Sequence, residues 1–271
     1  MSSSKLSMTT VPRAALLAAL VAVAGCSTIE EDRTVGWSPS RLYSEAKDEL
    51  DGRAYDKAIV LYEKLEGRAA GTMLAQQAEL EKAFAQYKSN EIAQSIATLD
   101  RFIKLHPAGP GLDYAMYLRG IVNFNDNLGI LGSLSRQNLS ERDQKAAKES
   151  YEAFRELTQR FPESKYTADA QQRMTYIVNS LAAYEVHVSR YYFSRGAYVA
   201  AINRAQIAIS EFRDVPALEE AVYILMMSYD ALGMAQLRDD TRRILDKSYP
   251  NSAFLRRGLK GGDADPWWKL W

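Results

Sequence analysis

Histidine and cysteine, which supply many of the nucleophiles, general bases and metal ligands of proteins, are scarce in this sequence. The chain has two histidines, His106 and His187, and one cysteine. His106 precedes the proline that ends a predicted helix, and His187 has no cysteine or second histidine within helical reach to complete a metal site. Neighbouring carboxylates such as Glu219 and Glu220 point in different directions on a helix. We therefore predict a protein that is not an enzyme and that holds no cofactor and no metal.

The single cysteine, Cys26, ends a short apolar run at residues 14–25 that Arg13 precedes. This run is too short to span a bilayer and has the charge and length of a signal peptide. The sequence Val-Ala-Gly-Cys at 23–26 has the pattern of a bacterial lipoprotein signal. We predict that residues 1–25 are removed and that Cys26 becomes an S-diacylglycerol, N-palmitoyl cysteine. A free thiol behind an ordinary secretion signal is the less favoured alternative.

Charge argues against nucleic acid as a partner. The chain has 34 basic and 34 acidic residues, and loss of Lys5 and Arg13 with the signal peptide leaves 32 basic residues. A nucleic-acid-binding protein normally carries a basic surplus or stripe that replaces the counterions of phosphate. With no second cysteine there is also no disulfide framework, so packing must stabilise the fold.

From about residue 38 to 249 the apolar residues recur at helical spacing, which predicts an all-α domain. A small residue followed by apolar ones 1, 4 and 7 positions later occurs in four segments. The small residues are Ala58, Ser95, Ser150 and Ala201. This spacing places them on one helix face, where a neighbouring helix can approach closely. The pattern resembles tetratricopeptide repeats and predicts an α-solenoid of about five helix pairs.

The predicted domain organisation follows from these segments. A lipidated tether at 26–37 precedes the repeat domain at 38–257, and an insertion at about 127–143 interrupts the third pair. The five pairs are expected at about 39–67, 72–106, 111–161, 165–213 and 216–249. A tail at 258–271 contains three of the four tryptophans. This tail either folds back over the last repeat, or anchors a partner or a membrane interface.

Aromatic residues are the candidates for contacts with other polypeptides. Tyr43, Tyr55 and Tyr62 are expected to line a concave substrate groove, although most such side chains belong to a core. The aromatic run that includes Tyr191 and Tyr192 is too wide for one buried stripe. At least one exposed aromatic ring is therefore expected in this run.

Two sequence blocks resemble one known family. The first reads LDRFIKLHP at 99–107 and DYAMYLRG at 113–120. The second reads KYTADA at 165–170 and continues, through the aromatic run at 191–192, to RGAYVAAINR at 195–204. Both are similar to repeat segments of the BamD (ComL) family, lipoproteins of the machinery that assembles β-barrels in the outer membrane.

The resemblance implies a periplasmic scaffold that is anchored by lipid in the cell outer membrane, with Ser27 after the cysteine as the export signal. Its expected partners are a BamA-type β-barrel insertase, the other lipoproteins of the complex and unfolded outer-membrane proteins. The insertase contact is expected at Tyr191, Tyr198, Asn203 and Arg204. An intramolecular salt bridge is the alternative role for Arg204.

Two other functions remain as alternatives. One is a periplasmic repeat lipoprotein that recruits peptidoglycan enzymes or proteases, and the other is a hydrolase within the helical array.

The turn at residues 68–71, Arg-Ala-Ala-Gly, departs from the aromatic turn that is common in the family. Any substrate contact that those aromatic residues make is therefore not expected in this chain.

Overall fold

The computed structural model describes residues 32–124 and 144–259, and Cys26, the predicted insertion and the Trp-rich tail lie outside these ranges. Within these ranges the chain forms eleven α-helices and no strand. The helices are α1 (Pro39–Asp51), α2 (Tyr55–Arg68), α3 (Met73–Lys88), α4 (Ile92–Leu105), α5 (Leu112–Phe124), α6 (Gln144–Arg160), α7 (Thr167–Ser194), α8 (Tyr198–Glu211), α9 (Leu218–Ala231), α10 (Ala235–Ser248) and α11 (Ala253–Arg257).

The described residues before Pro39, at 32–38, contain a short turn. The backbone N–H of Val35 donates to the carbonyl of Asp32 at 3.1 Å. The Asp32 carboxylate accepts hydrogen bonds from the backbone N–H and the hydroxyl of Thr34. An Asx-type contact of this kind fixes a turn without help from secondary structure.

Helices α1 to α10 form five consecutive pairs. Each helix from α1 to α9 packs against the helix that follows it. The first helices of neighbouring pairs also touch, as α1 does with α3, α3 with α5, and α7 with α9. This order of contacts is that of an α-solenoid, so the predicted fold class is confirmed.

The small residues of the sequence pattern lie where two helices of a pair approach most closely. Ser95 and Ser150 are fully buried. The Ser95 hydroxyl donates to the carbonyl of Ala83 at 2.8 Å, and the Ser150 hydroxyl donates to the carbonyl of Gly120 at 2.8 Å. A Cβ atom on Gly120 would lie 2.4 Å from the Phe154 ring. Small side chains are therefore required here by contact between helices.

The turn inside a pair has the same backbone in pairs one, two, four and five. Its left-handed residue is Arg53, Asn90, Gly196 or Gly233, with φ between 62° and 74°. In each copy the next backbone N–H donates to the carbonyl five residues earlier, as Ala197 does to Tyr192 at 3.0 Å. This is the Schellman arrangement, which satisfies carbonyl groups at the end of the first helix.

The fifth pair ends the regular pattern. Arg238 occupies the position of the small residue and forms an ion pair with Asp230 of α9 at 2.9 Å. After α10, Ser252 caps the short helix α11 by accepting a hydrogen bond from the N–H of Leu255. The Phe254 ring of α11 stacks on Tyr223 of α9 at 5.8 Å. Helix α11 therefore packs against the first helix of the last pair, as the start of a further repeat would.

Candidate partner-binding surfaces

The three tyrosines that we expected in an N-terminal groove occupy different environments. Tyr62, at the centre of α2, is fully buried. Burial raises the pKa of its phenol, and its hydroxyl has no hydrogen-bond partner in the described part of the chain. The prediction that Tyr62 lines a groove is therefore wrong for this conformation, because a residue of the large position in the repeat pattern packs between helices.

Tyr43 and Tyr55 remain partly exposed. The Tyr43 ring lies 6.3 Å from the Tyr62 ring, and its hydroxyl accepts a hydrogen bond from Gln77 of α3. Tyr55 is the first residue of α2 and follows the left-handed turn at Arg53. Both rings are available to a second polypeptide, and their role in a groove stays a prediction.

A buried ionic network that sequence reasoning missed joins α2, α3 and α4. The ammonium group of Lys82, which is 5% exposed, lies 2.8 Å from the carboxylate of Glu66. Arg101 lies 2.7 Å from Glu79 and 3.4 Å from Glu66. Burial raises the pKa of the Glu66 carboxyl, and the nearby Lys82 ammonium acts in the opposite direction. The network therefore fastens the first pair to the second through charges that depend on one another.

One sequence signal could have revealed this network. Glu79 and Lys82 lie on α3 among Ala75, Ala78 and Ala83, which are all buried. Opposite charges three positions apart within a row of alanines are placed on one helix face. Charged residues are ordinarily assigned to the solvent, so sequence reasoning does not by itself place Glu79 and Lys82 in a buried network.

The C-terminal candidates lie around the turn between α7 and α8. Tyr191 is 52% exposed, which agrees with the expectation of an exposed ring in this aromatic run. The guanidinium of Arg195 lies 5.3 Å from its ring centre. Tyr198 is partly exposed and packs edge-on against Phe193, while Asn203 is exposed on α8.

Arg204 makes an intramolecular ion pair. One of its guanidinium nitrogens lies 3.0 Å from the carboxylate of Glu185 on α7, and Glu185 is only 6% exposed. The hydrogen bond to Glu185 raises the pKa of Arg204. The structure therefore shows the alternative role of Arg204, a clamp between α7 and α8, and its role in a partner contact stays a prediction.

Two of the four predicted contact residues line a depression of about 460 Å³ at the start of α8. Its lining consists of uncharged residues, namely Gly196, Ala197, Tyr198, Val199, Ala200, Asn203 and Leu232. Tyr191 and Arg204 are not part of this lining. We call this feature the C-terminal depression. It offers an apolar floor with the amide of Asn203 and the hydroxyl of Tyr198 as polar groups.

Two searches of the described ranges bear on the type of site. No group of three or more His, Cys, Asp or Glu side chains in residues 32–124 and 144–259 is placed to hold a metal ion. No helix in the same ranges has the length and hydropathy needed to cross a membrane.

Comparison with known proteins decides the family. The model of a family described as YfiO, outer membrane lipoprotein, matches residues 37–245. The chain belongs to the YfiO/BamD family. An outer membrane protein assembly factor BamD of Neisseria meningitidis serogroup B is 46% identical over 255 residues, which cover 93% of this chain and 95% of that protein.

More distant members of the BamD family match over similar lengths. The outer membrane protein assembly factor BamD of Vibrio cholerae is 31% identical, over 84% of this chain and 95% of that protein. Among solved structures, a putative kinesin light chain of Podosopora anserina with TPR-like repeats matches at 14% identity and a TM-score of 0.37, over 78% of this chain and 97% of that one. At this score the match adds nothing to the fold described above.

Proposed function

We propose that this chain is a lipid-anchored periplasmic scaffold of the β-barrel assembly complex, which promotes the folding and insertion of outer-membrane proteins. One observation carries the proposal. The chain is 46% identical, over nearly its whole length, to a protein named outer membrane protein assembly factor BamD. At this identity the two chains share a fold.

The solenoid supports a role as a non-enzymatic scaffold. Stacked helix pairs present extended surfaces that can hold several polypeptides at once. We assign the contact with a BamA-type insertase to the C-terminal depression, where Tyr198 and Asn203 lie. We assign unfolded outer-membrane proteins to the N-terminal pairs, where Tyr43 and Tyr55 are partly exposed. The other lipoproteins of the complex are the remaining partners.

Attachment to the membrane is assigned to Cys26. Three acyl chains on this residue bury many methylene groups, each contributing about 0.8 kcal/mol, which is enough for stable anchoring without a membrane-spanning helix. The tether at residues 26–37 then connects the anchor to the first helix pair. Export to the outer membrane is assigned to the signal that Ser27 provides.

A depletion experiment in the native host tests the function. Cells that lose the chromosomal copy receive either the wild-type chain or the Cys26→Ala variant, and the folded β-barrel proteins of the outer membrane are measured by their heat-modifiable migration. We expect barrel assembly to fail on depletion, to return with the wild type and to return poorly with the variant. Unchanged barrel assembly after complete depletion would contradict the proposal.

Co-purification separates this function from its alternative. Membranes solubilised in detergent should yield the chain together with a β-barrel protein that bears tandem periplasmic domains. Recovery of peptidoglycan enzymes or proteases without such a barrel would replace the proposal with the recruitment function. The control is the same purification from cells that carry an untagged chain.

A further inference from the structure

The turn between the two helices of a pair has the same backbone in pairs one, two, four and five. Comparing these four copies, aligned on their left-handed residue, shows which surface residues the fold requires. Three positions after the left-handed residue stand Asp56, Ala93, Val199 and Gln236. The residue directly before it is Gly52, Ser89, Arg195 or Leu232. The first two pairs therefore form the same backbone with small or polar residues at both positions.

The last two pairs expose apolar side chains at this edge of the solenoid. Val199 and Leu232 line the C-terminal depression together, and Met234 and Leu237 follow Leu232 in the turn and the first part of α10. The exposed fractions of these four side chains lie between 38% and 62%. We call them the C-terminal apolar edge. Because the same turn forms without them in the first two pairs, folding alone does not explain their exposure.

The described chain ends beside the first half of α9. A Cβ atom on Gly258 would lie 3.6 Å from the hydroxyl of Tyr223, and Leu259 packs against the core cluster that contains Ala201 and Tyr229. Tyr223 and Leu232 are about 14 Å apart along the axis of α9. The eight residues that follow Leu259, up to Trp267, can extend to about 27 Å. The tryptophans at 267, 268 and 271 are therefore within reach of the C-terminal apolar edge.

We propose that residues 260–271 dock on the C-terminal apolar edge of the same chain, with a tryptophan ring in the C-terminal depression. A tryptophan side chain suits this place because it has a large apolar ring and one N–H donor, and the depression has an apolar floor and the carbonyl of the Asn203 amide. The last repeat of a solenoid also needs a cover for the apolar surface that a further repeat would bury.

The docked tail covers two residues that we assign to the insertase contact, Tyr198 and Asn203. The tail contact itself does not depend on the proposed function, because it is argued from the surface, the length of the tail and its composition.

Photocrosslinking in the purified full chain tests this contact. A photoreactive amino acid replaces Val199, and a control chain carries it at Ala93, the exposed residue at the same position of the turn in the second pair. We expect peptides of residues 260–271 to be crosslinked to position 199 at least tenfold more than to position 93. Mixing isotopically labelled and unlabelled chains shows whether the crosslink joins two copies.

Two results in the purified chain would overturn the proposal. They are equal crosslinking at the two positions and a crosslink between two copies only. Failure of barrel assembly in the depletion experiment is independent of both.

Tryptophan fluorescence provides a second measurement. In a Trp37→Phe background the emission comes from the three tail tryptophans, and docking should shift it to shorter wavelength. Val199→Asp together with Leu232→Asp should remove this shift, whereas Ala93→Asp should leave it unchanged. Identical spectra for all three chains would contradict docking.

Discussion

The contact between the first two helix pairs and the contact between the last two use the same backbone pattern with different side chains. Between the first pairs, Lys82 is buried beside Glu66, and Arg101 joins Glu66 to Glu79. Between the last pairs, Glu220 is held by Arg190, whose side chain is 43% exposed and reaches the surface. Both contacts thus have an arginine that reaches the surface, since the Arg101 side chain is 50% exposed, and the contact between the first pairs adds a buried cation, Lys82.

The buried residues that pack between helices also differ between the two ends of the solenoid. Four positions after the small residue, α2 and α4 carry Tyr62 and Leu99, whereas α8 carries Ala205. All three are fully buried. At this position the first and second pairs therefore carry a large side chain and the fourth pair carries alanine, while the last two pairs expose aliphatic residues at the C-terminal apolar edge. We propose that the C-terminal pairs are the binding end.

The largest effect is expected from Lys82→Met, which leaves the Glu66 carboxylate without its buried partner. Removing one member of a buried ion pair costs about 3–5 kcal/mol, and urea unfolding measures the loss. The pKa of Glu66, already raised by burial, should rise further. A carboxyl with a raised folded pKa favours folding when protonated, so the contribution of Glu66 to the stability of the variant should be largest at low pH and be lost as pH rises through that pKa.

The control for this variant is Lys57→Met. The Lys57 side chain is 73% exposed and lies 3.6 Å from Glu49, so its loss should cost less than about 1 kcal/mol. Equal effects of the two variants would show that burial of the Lys82 ammonium has no energetic consequence.

Leu99→Ala should follow in size. Leu99 is fully buried between α3, α4 and α5, and truncation of such a leucine costs about 2–5 kcal/mol through lost burial and the cavity that remains. Unfolding in urea measures the change. A decrease in the free energy of unfolding below about 0.5 kcal/mol would show that the helices around Leu99 close the cavity, and would contradict a tightly packed N-terminal core.

Ala205→Leu makes the opposite change at the matching position of the fourth pair. Added methylene groups in a filled site cost about 1–3 kcal/mol, because neighbouring side chains must leave their preferred rotamers. The thermal midpoint of the full chain measures this loss. A stabilised variant would show that the alanine contact is loosely packed and would remove this difference between the two ends.

The smallest effects are expected at the turns. Arg53 has φ 62°, so Arg53→Gly should stabilise the chain by about 0.5–1 kcal/mol through relief of the left-handed strain. Gly196 has φ 74°, and Gly196→Ala should destabilise it by about 1 kcal/mol. Thermal unfolding of both variants tests whether the two turns both require a residue with positive φ. A lower thermal midpoint for Arg53→Gly would contradict this.

Helical spacing was sufficient to predict the fold. The small residues Ser95 and Ser150 recur at the same position of the repeat pattern, and both are buried where the two helices of a pair touch. Spacing alone could not show which tyrosines are buried in the core and which are exposed in a groove. Tyr62 and Tyr43 lie on neighbouring faces of adjacent helices, and only their three-dimensional neighbours bury one and expose part of the other. The C-terminal depression was missed for a related reason, since Val199 and Leu232 are 33 positions apart in the chain.

The role of Arg204 shows a further limit. A guanidinium that can hold a carboxylate across an interface can equally hold one within the chain, and the sequence does not distinguish these partners. The structure supplies Glu185 as an internal partner. Arg204→Glu would place a second carboxylate beside buried Glu185, so it would disturb the fold together with any partner contact.

Affinity isolation of the full chain from solubilised membranes tests most directly whether the C-terminal pairs are the binding end. Val199→Asp and Ala93→Asp introduce the same charge at the same position of two equivalent turns. We expect Ala93→Asp to retain the β-barrel insertase at the wild-type level and Val199→Asp to lose at least tenfold of it. Equal recovery with both variants would contradict the assignment of the partner contact to this surface.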